Sequence, residues 1–276
     1  MIAATILVDN RVRAQGLLAQ HGFSLWLESP RRSILFDTGA TSQVLEANAQ
    51  ALGVDLATAT DIVLSHGHWD HGGGLSRAMD IAPSARVWIP RGALLPRWHR
   101  GDMGLRDIAL SHEVRERLVR SRDRWIEIDA PTELEDGIWI TGPVGGERPS
   151  WTHAGLVRNE ILGIPDDVPE EQALAVATST GIVGLVGCAH FGLDNLERAL
   201  TGMFPGRPLR GLVGGLHLES APEGAFEGVL ARRLPVPGSL MVPCHCSGPK
   251  AEGLVASMGL SGWEPGCVGK RIRIAS

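Results

Sequence analysis

Between His66 and His71 the chain crowds three imidazoles and a carboxylate into six positions: His66-Gly67-His68-Trp69-Asp70-His71. They follow a short apolar run, Ile62 to Ser65, that reads as a strand. Imidazole nitrogen and carboxylate oxygen are donors favoured by Zn²⁺, Fe and Mn²⁺. Alternation in an extended segment turns His66 and His68 toward one side. Asp70 and His71 then fall on the following turn, where they can face a second ion, and Gly72 to Gly74 let the backbone bend tightly beside it. A lone HxH would be a weak signal, but all four donors at a strand end outweigh a chance clustering of histidines. A fold that carries this segment must leave that strand end open enough for a metal to reach its four donors.

The surrounding pattern supplies strands and helices in alternation. Thr5 to Val8, Phe23 to Leu27, Ser33 to Phe36 and Ile62 to Ser65 read as strands, with Pro30-Arg31-Arg32 at hairpin distance between two of them. Ser42 to Leu52 has helical spacing with Ser42 as its N-cap. A strand at Arg86 to Ile89 follows, then an irregular stretch from Arg91 to Arg124, then β-like runs at Trp125 to Ile128 and Gly137 to Thr141.

The second half repeats this alternation, with paired runs Ala173 to Ala177 and Ile182 to Val186, then a helix from about Leu193 to Met203. Leu212 to Leu218 precedes a helix within Ala225 to Arg233, Leu240 to Val242 precedes one over Lys250 to Met258, and Arg271 to Ile274 closes the chain. Each half offers a sheet and covering helices, which predicts an α/β fold with a four-layer αββα sandwich. No linker divides the halves, so one domain spanning 1–276 is expected, with a cap insertion at about 91–124.

Composition narrows the partners. A hydrophobic fraction of 43% and a charged fraction of 21% over 276 residues are ordinary for a globular chain. A net charge of -5 gives no basic field, so nucleic acid is not an obligatory partner. No apolar run approaches the ~20 residues that span a bilayer, and Met1 to Asn10 lacks the charged start and apolar core of a cleavable leader, so no membrane partner and a cytoplasmic location are expected. Four cysteines, Cys188, Cys244, Cys246 and Cys267, are too few and too late for a secreted disulfide framework. Cys244-His245-Cys246 could chelate a metal, but alternation would point both sulfurs away from His245.

His66-x-His68-x-Asp70-His71, with Phe36-Asp37-Thr38-Gly39 upstream, resembles the signature of the metallo-β-lactamase superfamily. Gly187-Cys188-Ala189-His190, Gly214-Gly215-Leu216-His217-Leu218 and Pro243-Cys244-His245-Cys246-Ser247-Gly248 resemble one branch of it, the dihydropterin-ribofuranosylaminobenzene phosphate synthase-like proteins. The resemblance runs from about Leu25 to Gly269, is specific for fold and metal, and says little about substrate. It implies a dinuclear centre of two divalent metal ions, zinc first, with iron or manganese as substitutes. His66, His68 and His190 would hold the first ion, and Asp70, His71 and His245 the second. Many members carry a bridging Asp where this chain has Cys188, which leaves Cys188 either a direct ligand or a small buried residue. His217 reads equally as a residue serving metal or substrate and as a satisfied core histidine; His153 reads as a surface histidine. Asp37 is either a carboxylate orienting a ligand imidazole from behind or an ordinary turn residue.

The chemistry so implied is hydrolysis of an ester, phosphoester or related bond in a small, anionic substrate by metal-activated water, with Asp70 orienting the nucleophile. No GxSxG, Walker or dinucleotide motif offers another route. The anionic character rests on the arginines from Arg91 to Arg124, which could cap the metals or simply form a solvated helical face. Three rivals remain: an iron enzyme on the same fold, a pterin synthase as the branch name implies, and a non-catalytic binding module. The diiron flavoprotein relatives carry Glu where this chain has His68, whereas mononuclear iron dioxygenases keep the histidine.

Overall fold

Alternation along the strands sorts the apolar side chains between a shared interior and two outer faces. In β2 (Ser24–Glu28), Leu25 and Leu27 point to the shared interior while Trp26 points to the opposite face. β3 (Ser33–Phe36) repeats this with Ile34 and Phe36 against Leu35. In β13 (Gly181–Val186), Val183 and Leu185 meet the same interior while Ile182 and Val186 face outward. Two sheets therefore pack face to face over one core, and each needs a helical layer outside it. The structure, a computed structural model, describes residues 1–222, 239–257 and 262–274.

The first sheet has seven strands in the order β16-β1-β2-β3-β4-β5-β8, completed by β1 (Ile2–Val8), β4 (Asp61–Val63), β5 (Arg86–Pro90), β8 (Trp125–Ile128) and β16 (Arg271–Ile274). The second has six, β15-β14-β13-β12-β10-β9, with β9 (Thr132–Glu135), β10 (Ile138–Ile140), β12 (Leu174–Thr178), β14 (Leu209–Gly215) and β15 (Leu240–Cys244). On the outer face of the first sheet lie α1 (Ser42–Ala51), α3 (Leu75–Ile81) and α4 (His112–Arg120), sharing a cluster with Trp26, Leu35 and Val87. Over the second lie α5 (Leu193–Met203) and α6 (Gly248–Ser257), packed on Ile182, Leu212 and Met241. This is the four-layer αββα sandwich that the alternating pattern predicts. The last strand does not stay with its own half: β16 pairs antiparallel with β1, Ile2 opposite Ile274.

Several expectations need correction. Residues 91–124 are not irregular: they contain β6 (Trp98–Gly101), β7 (Gly104–Asp107) and α4, and the β6–β7 hairpin joins β11 (Leu156–Val157) in a three-stranded sheet. Asp70 and His71 lie not on a turn but in a one-turn helix, α2 (Trp69–Gly72). The N-cap of α1 is Thr41, whose hydroxyl accepts from the Val44 amide, not Ser42. The helix expected within Ala225 to Arg233, and Met258, lie outside the described residues. Among the described residues no helix is long and apolar enough to cross a membrane.

Candidate metal centre

Strands β3, β4 and β5 run parallel in one sheet, and β13, β14 and β15 run parallel in the other. The carboxyl ends of these strands carry the chemistry: Asp37 after β3, His66 after β4, Cys188 and His190 after β13, His217 after β14, His245 after β15. Open parallel sheets bind ligands beyond these ends because the chain leaves each strand there and can turn side chains into a common crevice. Four of those turns use left-handed backbone at non-glycine residues, Asp37 (φ 57°), Ala189 (59°), His217 (48°) and His245 (47°). Such conformations cost of order 1 kcal/mol each and collect at functional sites.

Histidines from both sheets converge. One ring nitrogen each of His66, His68 and His190 lies within 4.8 Å of the others, and one ring nitrogen each of His21 and His245 lies as close to a carboxylate oxygen of Asp70 and to each other. His66 Nε2 and His68 Nδ1 are 2.9 Å apart. Cys188 joins several such groups, with His66 and His71, with His190 and His217, and with His245 and Cys246. The fold thus brings together His66, His68, Asp70, His71, His190 and His245, with Cys188 and His217 beside them. His153 is half-buried, its ring 3.5 Å from the Thr152 hydroxyl.

Four of the imidazoles are oriented from behind. Asp37 is fully buried and accepts three hydrogen bonds, from His71 Nδ1, the Ser65 amide and the Ser65 hydroxyl, each at 2.7 Å. Since Ser65 Oγ donates to Asp37, it accepts from His66 Nδ1 at 2.8 Å. His190 Nδ1 donates to the Thr152 carbonyl, and His245 Nδ1 to Asn10 Oδ1 at 2.9 Å. With Nδ1 engaged in all four rings, Nε2 is the nitrogen left facing the interior of the cluster.

The buried nitrogens His68 Nε2, His190 Nε2 and His217 Nδ1 have no hydrogen-bond partner among the described residues. Burying such atoms unpaired is costly, and a cation bound by the cluster would remove that cost. Charge state agrees with this donor set. Burial, reinforced by neighbouring His71, holds His66 well below the usual histidine range. Burial together with Arg97 does the same to His68, and burial together with His217 to His190. All three rings are therefore neutral at pH 7, the state in which an imidazole can ligate a metal. Burial also acts to lower His71, but Asp37 and Asp70 outweigh it and lift the ring to about 9. Burial would raise Asp70, yet His71, His21 and His245 hold it well below the usual carboxylate range. The residues present fit divalent metal binding.

Three participants carry no clear signal in the sequence. His21 Nε2 lies 3.1 Å from Asp70 Oδ2, the same oxygen that His245 Nε2 approaches at 3.4 Å. The cue was slight, a histidine beside a glycine ahead of a strand. Cys246 faces the site with His245 because the chain leaves extended geometry after Cys244 and enters a 3₁₀ turn, His245–Ser247. Alternation stops there, so only Cys244 points into the intersheet core. Glu171, fully buried, accepts from the Cys188 amide at 3.0 Å and stands 3.8 Å from His66 Nδ1. Over the cluster opens a cavity of about 240 Å³.

Comparison with known proteins agrees with this geometry. The sequence profile of the metallo-beta-lactamase superfamily matches residues 19–188, more than half of the chain. An uncharacterized protein of Methanocaldococcus jannaschii is 29% identical over 274 residues, covering 98% of this chain and 99% of that one. The 7,8-dihydropterin-6-methyl-4-(beta-D-ribofuranosyl)-aminobenzene-5'-phosphate synthase of the same organism is 23% identical over 254 residues, 86% of this chain and 84% of its own. A crystal structure of a metal-dependent hydrolase of the beta-lactamase superfamily superposes with a TM-score of 0.81 at 27% identity, over 100% of both chains. By its sequence profile, its sandwich and its strand-end histidines, this chain belongs to the metallo-beta-lactamase superfamily.

Proposed function

We propose that the protein is a metal-dependent hydrolase acting on an ester, phosphoester or related bond of a small molecule, with two divalent ions, zinc foremost, as its cofactors. The observation that carries this reading is the buried trio His66, His68 and His190, neutral and with two Nε2 atoms unpartnered. In this reading His66, His68 and His190 hold one ion. Asp70, His71 and His245 hold the other, with Cys188 beside both. The imidazole-rich, partly thiol donor set is one that zinc favours over magnesium or calcium.

When bound, such ions lower the pKa of water and polarise a carbonyl or phosphoryl oxygen. The chain's own residues do the rest. Asp37 and Ser65 fix the tautomers of His71 and His66. Asp70, kept ionised by His71, His21 and His245, accepts a hydrogen bond from the attacking water and orients it toward the substrate. His21 is raised chiefly by its bond to Asp70, so it can carry the proton that offsets this carboxylate.

Metal quantification on freshly purified protein, with a panel of phosphodiesters, thioesters, lactones and lactams, tests the reading. Bound zinc and turnover of one bond class are expected, and His66→Ala with His71→Ala should abolish both together. An active, metal-free double variant would end the proposal. A second reading is favoured by the similarity to the M. jannaschii synthase over 86% of this chain. Synthase activity toward a dihydropterin, with no turnover across the hydrolytic panel, would favour it. All four cysteines carry free thiols, in keeping with a reducing cytoplasmic location.

A further inference from the structure

One wall of the cavity is a single row of side chains across the three-stranded sheet. In the pairing register Leu156 of β11 stands opposite His99 of β6, and His99 stands opposite Arg106 of β7. Directly paired residues of antiparallel strands project to the same face. All three line the cavity that also contains His68, Asp70 and His190. Two glycines make room for the central ring. A Cβ on Gly101 would lie 2.8 Å from the His99 ring, and one on Gly155 would lie 3.2 Å from its Nε2.

Most arginines around this row are spoken for. Between residues 91 and 124, Arg91, Arg97, Arg117 and Arg120 are in ion pairs. Arg100, Arg122 and Arg124 donate to backbone carbonyls. Among the described residues, the side chains of Arg106 and Arg115 have no such partner, and of the whole group only Arg106 lines the cavity. An unpaired guanidinium beside an imidazole donor forms a fork suited to a phosphate or carboxylate. Leu156, Ile108 and Trp69 add apolar surface to the same cavity.

We infer that Arg106 and His99 bind an oxyanion of the substrate, a phosphate or carboxylate group separate from the bond that is cleaved, and that Leu156, Ile108 and Trp69 hold its apolar body. This deepens the hydrolase reading above and rests on it for the word substrate. The β6–β7 hairpin is then the part of the 91–124 segment that selects the substrate, while α4 and its paired arginines are surface.

Equilibrium binding of inorganic phosphate and of benzoate, measured calorimetrically, tests this in the protein as purified and after chelation of its metal. Arg106 is exposed, so Arg106→Ala should leave the melting temperature unchanged. It should weaken at least one of the two anions about tenfold in both forms of the protein. Arg106→Lys should recover part of the loss, and Arg115→Ala should change nothing. Loss confined to phosphate or to benzoate identifies which oxyanion the fork takes. Affinities for both anions within twofold of the parent in Arg106→Ala, or no detectable binding of either to the parent, would overturn the inference. Binding to chelated protein requires no turnover, so a chain that hydrolyses nothing yet loses anion affinity with Arg106 retains this site and forfeits only the hydrolase reading.

Discussion

Asp37 Oδ2 accepts the Nδ1 proton of His71 at 2.7 Å, with both side chains sealed from solvent. The same carboxylate takes the Ser65 amide and hydroxyl, so one residue just past β3 aligns donors from the loop after β4 and from α2. Asp37→Ala would strand those three buried donors, at about 1–3 kcal/mol for each that finds no water. The expected result is a markedly lower melting temperature and a 10- to 100-fold loss of metal affinity, the usual range for removing such a support. Asp37→Asn keeps an acceptor and should fall between. Undiminished metal affinity in a folded Asp37→Ala variant would remove Asp37 from this role.

His71 sets a pH dependence for metal uptake. Its ring titrates at about 9, and with Nδ1 committed to Asp37 the second proton sits on Nε2, facing Cys188 Sγ at 3.2 Å. Ligation needs that nitrogen bare, so below pH 9 each binding event must expel the proton. Affinity should rise roughly tenfold per pH unit from 7 toward 9 and flatten above it. Competition with a chromophoric chelator at pH 7, 8 and 9 measures the slope, and a flat profile would contradict the assignment.

Where buried faces alternate, the residue pattern announced the fold: Leu25, Trp26 and Leu27, or Ile182, Val183 and Leu185, could be sorted by eye. The β6–β7 hairpin could not. Its residues are half-buried or exposed, because it is held by pairing with β11 over an open cavity and not by a core, so it carries no apolar rhythm. Helix α3 was hidden by Gly72 to Gly74, which read as loop although Gly72 closes one helix and Gly74 caps the next. His66, His68 and His71 were legible as a cluster just past a strand, and His190 and His245 as strand-end residues picked out by the family resemblance. His21 and Cys246 were not, since each depends on a loop path that no periodicity encodes.

Gly187 sits at a tight junction between the ends of the two sheets. A Cβ there would fall 2.3 Å from Ser65 Oγ and 3.1 Å from Asp37 Oδ2, into the hydrogen bond that ties those residues together. Gly187→Ala must push Ser65 aside, and overpacking of this kind costs about 1–3 kcal/mol. The loss should appear in thermal melts and, because Ser65 also bonds His66, as weaker metal retention. If the variant melts like the parent and keeps its metal, the two strand ends are looser than this geometry requires.

Glu171 gives the opposite sign of stability change. Burial, only partly offset by Arg148 and the Cys188 amide, raises its carboxyl from 4.5 to about 7. Below pH 4.5 the folded and unfolded chains are both protonated there, and the group has no effect on stability. Between 4.5 and 7 the unfolded chain releases the proton while the folded one holds it, so stability falls as pH rises, by about 3 kcal/mol in all. Glu171→Gln stays neutral and keeps an oxygen for the Cys188 amide, so it escapes this penalty. In metal-free protein it should melt close to the parent at pH 5 and well above it at pH 8. Thermal melts across that range decide the matter, and a difference that does not grow with pH would show that Glu171 is ionised in the folded chain.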